Sequence, residues 1–175
     1  MVRARIAGSP AYRWGATSLF LAAAVILTAL AFEHIGGMQP CPLCLQQRWA
    51  YYAGIPLAFI ALVVLSAGHP CAAAALFALV ALAFLANVGL GGYHAGVEWG
   101  LWAGPDTCAA TASPISTSGN MLETLKNAPR IVRCDEAGWR FLGLSFAGWN
   151  VVASLMLSTA AAKAAQAARE HELYL

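Results

Sequence analysis

With 175 residues, 60% hydrophobic and only 10% charged, against roughly 25% charged in a typical soluble domain, the chain excludes an ordinary water-soluble fold. A formal charge of +2, with no basic patch interleaved by aromatics, offers no nucleic-acid-binding surface. The length supports one domain, spanning residues 1–175.

Four windows lack Asp, Glu, Lys and Arg altogether: residues 15–32, 49–67, 70–93 and 141–162. Crossing about 30 Å of hydrocarbon takes about 20 helical residues, so each window predicts a membrane span. A soluble helical bundle would need charged outer faces, and these windows supply none. The predicted fold is an all-α, four-transmembrane-helix bundle.

The N-terminal tail carries Arg3, Arg5 and Arg13. Ala29-Leu30-Ala31 resembles a signal-peptidase site, but the apolar run exceeds the usual 7–15 residues of a signal peptide, so the first window reads as a retained span. Loop 33–48 follows, with Cys41, Cys44 and Arg48; Glu33 and His34 read there as ordinary boundary residues. Gly68-His69 forms the short turn between spans two and three, and Cys71 reads as a small apolar residue at a helix end. Pro56 predicts a kink in the second span and a cavity above it. Loop 94–140 is long and holds Cys108 and Cys134. Within it, "NMLETLKNAP" (120–129) predicts a short amphipathic helix, capped by Asn120 and stopped by Pro129, its face of Met121, Leu122 and Leu125 suited to a bilayer surface or to the protein.

An even number of spans puts both termini on one side. Lys and Arg divide evenly between the sides, but the short N-terminal tail outweighs the long loop, so the termini are expected in the cytoplasm and both cysteine loops outside it. Disulfides persist in oxidising compartments, and this topology sends two cysteine pairs there.

Pro42 suits the first position of a helix, which makes Cys41 the cap of the second helix and places Cys44 in its first turn. A thiolate there feels the positive end of the helix dipole. Arg48 follows Cys44 by one helical turn. Cys44 is therefore expected to be an ionised sulfur beside a fixed cation, although Arg48 also suits an interface anchor, with Trp49, Tyr51 and Tyr52 as belt aromatics. Cys108 and Cys134 can close a loop by a disulfide, stabilising by about 3 kcal/mol if purely structural. The small residues after Cys108 favour an accessible, exchangeable bridge instead. Two disulfides at a membrane surface can relay an oxidising equivalent, with lipid-soluble quinone as final acceptor. A four-cysteine zinc site is the rival, but it usually has two closely spaced pairs, and here only one is Cys-x-x-Cys.

Three stretches, "CPLCLQQR" (41–48), "YHAGVEWGLWAGPDTC" (93–108) and "VRCDEAGWRFLGLSFAGWN" (132–150), together with the span order, resemble the bacterial disulfide-bond formation protein B (DsbB) family over residues 12–162. The resemblance implies an inner-membrane thiol oxidase that reoxidises a periplasmic, thioredoxin-fold dithiol oxidase (DsbA-like) and passes the electrons to ubiquinone or menaquinone. It implies disulfides Cys41–Cys44 and Cys108–Cys134, with Cys108 meeting the partner and Cys44 facing the quinone. Arg48 resembles the family's quinone-site arginine. Some members have an acidic residue just before this arginine, where this chain has Gln47, which puts any carboxylate role there in doubt. The partner is either the general oxidase or a dedicated one.

His94, at the depth of Cys44 and Arg48, is a candidate to bond a quinone oxygen or shuttle a proton, or is a satisfied interface histidine. Glu98 is expected to pair with Arg48 or face water. Asn87 and Asn150 read as structural interhelical amides, and Trp99, Trp102 and Trp139 as interfacial anchors. Rival functions are a metal- or haem-handling membrane protein and a structural anchor with a stabilising disulfide. A vitamin-K-epoxide-reductase-like enzyme would carry its Cys-x-x-Cys late in the chain, not early.

Overall fold

The computed structural model describes residues 9–105, 134–135 and 137–173. Cys108 and the helix expected at 120–129 lie outside the described residues. Four helices make up the body: α1 (Pro10–His34), α2 (Pro42–Ser66), α3 (Pro70–Glu98) and α4 (Phe146–Leu173). Each contains a stretch long and apolar enough to cross a membrane.

Three helices open alike, with proline at the first helical position after Ser9, Cys41 or His69. Proline's missing N–H is surplus there and its φ is already helical. The Ser9 hydroxyl accepts from the Tyr12 N–H at 3.3 Å, and Cys41 Sγ does the same for the Cys44 N–H at 3.2 Å. The helices outrun their charge-free windows: α2 carries Arg48 on its second turn, and α3 extends through His94 to Glu98. A charged residue ends a hydropathy window without ending a helix. The fourth helix starts later than the window at 141, because residues 140–145 fold as a hairpin. β1 (Arg140–Phe141) pairs antiparallel with β2 (Leu144–Ser145), through a turn at Leu142 (φ 52°) and Gly143 (φ 82°). Two successive positive φ values match the right-handed strand twist. Ser145 then caps α4, its Oγ accepting from the Gly148 N–H at 3.2 Å.

The helices form a ring in chain order: α3 packs most extensively on α4, then α2 on α3, α1 on α4 and α1 on α2. The short connections from α1 to α2 and from α2 to α3 impose an antiparallel arrangement on the first three helices. Since lipid is as apolar as leucine, close packing and interhelical hydrogen bonds must hold the ring. Glycines provide the closeness: a Cβ on Gly15 would stand 2.5 Å from the Phe77 ring, and one on Gly54 2.9 Å from the Phe84 ring. Asn87 provides one bond, donating to Ser154 Oγ at 2.9 Å between α3 and α4. The outer faces remain greasy, with Phe20, Leu27, Phe59 and Leu82 exposed, as a lipid-facing surface requires. Inside, one layer packs Phe77 with Leu62 and Leu65, and a second packs Phe84 and Val80 with Ile26, Tyr51 and Leu157. A third, at the end where α2 begins, is built from Cys41, Leu43, Val97 and Cys134.

Candidate functional site

The third layer is where the cysteines meet. Cys41, as helix cap, and Cys44, one turn on, have their sulfurs 2.9 Å apart, and both are free. The disulfide expected between them is a dithiol here; the separation exceeds the roughly 2.05 Å of an S–S bond. Cys134 is buried and disulfide-bonded; its expected pairing with Cys108 lies outside the described residues. The Cys41 and Cys134 sulfurs and a His94 ring nitrogen lie within 4.8 Å of one another. These are metal-ligand types, but the Cys134 sulfur is already bonded to another sulfur. What the geometry offers is thiol–disulfide approach.

Cys41 accepts the Cys44 backbone N–H at the positive end of α2 and faces His94 Nε2 at 3.5 Å. The proton shared by the two sulfurs therefore rests on Cys44 and the charge on Cys41. The Cys41 thiol is lowered to about 5, chiefly by the hydrogen bond from the Cys44 side chain; the His94 ring and the Cys44 N–H add to this, and burial opposes it. Cys44 was expected to be the ionised sulfur. The cap position collects the donors, which favours charge on Cys41 instead.

Arg48 is not a lone cation. Its guanidinium is ion-paired with Glu33, at the end of α1. Glu98, expected at Arg48 or in water, is instead buried: it accepts from Ser145 Oγ and lies 3.9 Å from His94 Nε2. Glu33, read from sequence as a boundary residue, is thus part of the site. Its signal was faint: it is the sole acidic residue of segment 33–48.

A cavity of about 540 Å³ opens beside the thiols, walled by α1, α2 and α4 with the end of α3. Cys41, Cys44, Arg48, Glu33, His94 and Glu98 line its polar side, and Val25, Ile26, Phe32, Phe146 and Ala153 its apolar side. Trp139 closes one wall, stacked on Phe141 (5.6 Å, 2°) and tilted against Phe32 and Phe146. It was expected to be an interfacial anchor. Pro56, expected to shape the cavity, lies within the unbroken α2 and is not on its wall. Trp102 folds over Gly96 instead, its Nε1 donating to the Tyr93 carbonyl at 2.9 Å. Cys71 is exposed at the start of α3, remote from the site.

A chain of side-chain hydrogen bonds backs the thiols. Tyr51 and Gln47 on α2, Asn150 on α4 and His94 on α3 are joined in series, ending at Cys41. Asn150 was expected to be structural and Gln47 a doubtful substitute; both belong to the site. Amides inside apolar runs are the signal that could have found them.

A model of the family described as "Disulfide bond formation protein DsbB" matches residues 12–164. A disulfide bond formation protein B of Herminiimonas arsenicoxydans is 34% identical over 132 residues, 73% of this chain and 78% of that protein. The protein of that name from Methylococcus capsulatus is 32% identical over 143 residues, 77% and 82% of the two chains. A third, from Xanthomonas oryzae pv. oryzae, is 30% identical over 173 residues, 93% and 98%. No solved structure matches the chain at a significant level.

Proposed function

The chain belongs to the disulfide bond formation protein B family, and from that premise we propose that its four loop cysteines carry electrons from a periplasmic dithiol protein to a membrane quinone. As a family member it is a disulfide-forming oxidoreductase and a multi-pass protein of the bacterial inner membrane. The reading beyond this rests on one observation: the Cys41–Cys44 dithiol stands between a disulfide-bonded sulfur, Cys134, and an apolar cavity with a cation in its wall.

The cavity fits a quinone by its chemistry. Aromatic and aliphatic walls suit the ring and its isoprenoid tail, and Arg48 and His94 suit the ring oxygens. A quinone held there by Arg48 and His94 would supply a two-electron, two-proton acceptor. The residues' part is then balanced: Cys41 and Cys44 lose two electrons and two protons and become a disulfide. Arg48, held in place by Glu33 in the cavity wall, would stabilise negative charge developing on a ring oxygen. His94 lies beside Cys41, where its ring N–H steadies the ionised sulfur.

The new Cys41–Cys44 disulfide is reduced by the outer cysteines, and the close approach of Cys41 and Cys134 suits that exchange. Cys108 and Cys134 then form a disulfide again and oxidise the partner, a thioredoxin-fold protein of the DsbA kind, with Cys108 forming the mixed disulfide. Ubiquinone and menaquinone both fit this scheme. Cytoplasmic termini and periplasmic cysteine loops complete it.

The test is quinone reduction by purified protein supplied with a reduced thioredoxin-fold partner, followed by the quinone's absorbance. Cys41→Ser and Cys44→Ser should abolish it, and Cys108→Ser should block turnover with the partner. A Cys44→Ser protein that reduces quinone at the normal rate overturns the relay. Trapping mixed disulfides with Cys134→Ser in cells identifies the partner.

A further inference from the structure

The geometry points to Gln47 as a positioning residue: its side-chain amide holds His94 in the tautomer that presents Nε2–H to the Cys41 sulfur. The inference deepens the proposed function, since it rests on Cys41 being a redox thiol.

Hydrogen-bond direction carries the assignment. A phenol can donate or accept, but an amide oxygen only accepts and an amide nitrogen only donates, so the placement of the amide atoms sets the direction. Tyr51 donates to Asn150 Oδ1 at 2.7 Å. The Asn150 amide thus stands with its oxygen toward Tyr51 and its nitrogen donating to Gln47 Oε1 at 2.5 Å. Gln47 in turn has only its NH₂ to offer His94 Nδ1, 2.8 Å away. Nδ1 must therefore accept. A neutral imidazole carries one N–H, so its proton sits on Nε2, the atom that faces Cys41 Sγ at 3.5 Å.

Burial reinforces the direction. Gln47 is 5% exposed and His94 2% exposed, and reversing one member alone would leave its neighbours facing donor to donor or acceptor to acceptor. The members come from three helices: Gln47 and Tyr51 lie one turn apart on α2, His94 is on α3 and Asn150 on α4. Glu98 is the other acceptor near Nε2, at 3.9 Å, with its second oxygen engaged by Ser145. Both acceptors at that nitrogen, the sulfur and the carboxylate, call for a proton there. The chain thus converts the register of three helices into the protonation state of one ring, and that ring into a donor for the ionised sulfur. A glutamate in place of Gln47 would reverse the logic: with no donor to give, its carboxylate would draw a proton to Nδ1.

The test is the ¹⁵N spectrum of the His94 ring in the full-length protein, ¹⁵N-histidine labelled and reduced with dithiothreitol in lipid nanodiscs at about pH 8, above the ordinary histidine range. The unsubstituted protein should show an unprotonated, hydrogen-bonded Nδ1 and a protonated Nε2. Gln47→Glu, nearly identical in shape, should move a proton to Nδ1, either reversing the tautomer or protonating both nitrogens. A merely structural Gln47 would leave the ring as it was. A protonated Nδ1 in the unsubstituted protein overturns the inference even if no variant folds, and so does a Gln47→Glu protein with the parental ring pattern. Because the readout needs no quinone, a failed quinone assay with the expected tautomer rejects the oxidase reading alone, and the converse result rejects Gln47 alone.

Discussion

The Cys41 thiolate can be tested directly by removing the donor that contributes most to it. In the reduced protein its thiol is lowered to about 5, so about 99% is ionised at pH 7, against about 3% of an ordinary thiol near 8.5. That is roughly a thirtyfold gain in thiolate. Intrinsic nucleophilicity falls as the pKa falls, with a Brønsted slope of about 0.4–0.5, which removes roughly the same factor over this range. The rate at one pH is therefore a poor readout, and the midpoint of the pH profile is the right one. Iodoacetamide labelling of reduced protein, with Cys41 quantified by peptide mass spectrometry, should give a midpoint near 5. Cys44→Ala deletes the side-chain donor while keeping the backbone N–H at 3.2 Å and the His94 ring at 3.5 Å, and should raise the midpoint by more than about one unit. Cys44→Ser keeps a donor and should stay within about one unit of the parent. A parental midpoint of about 8–9, or identical midpoints for the alanine and serine variants, refutes the reasoning.

The same shift makes stability depend on pH. A thiol whose folded pKa is depressed stabilises the reduced fold fully above about 9, and that contribution is lost as pH falls through about 5; thermal unfolding of reduced against Cys41→Ala protein should converge at the acid end. Glu33→Gln should release Arg48 from its ion pair, and Arg48→Ala should raise the quinone KM by about tenfold or more, in line with a charge-assisted contact, while both disulfides still form by thiol counting. Gly54→Val, which pushes side-chain atoms into the Phe84 ring, should cost about 1–3 kcal/mol in unfolding experiments. Asn87→Leu, which deletes the bond to Ser154, should cost about 0.6–1.7 kcal/mol by the same measurement.

Much of the molecule is determined by local sequence. Four uncharged runs of spanning length leave a chain no option but to satisfy its backbone within helices, and the Ser-Pro, Cys-Pro and His-Pro steps mark three of the helix starts. The Cys41-Pro42-Leu43-Cys44 motif already places two sulfurs one turn apart at a positive helix end. The start of α4 was less legible, because Leu144 and Ser145 look equally apolar as strand or helix until the Leu142-Gly143 turn is seen. What only the tertiary structure decided is which groups separated in sequence stand together. Glu33 reaches Arg48, the disulfide-bonded Cys134 approaches Cys41, and three helices must be in register before Tyr51, Asn150 and Gln47 can aim the ring of His94. Helix and cap follow from interactions within a few residues. Charge placement on one of two neighbouring sulfurs follows from donors arriving from other helices, and no local pattern encodes their direction.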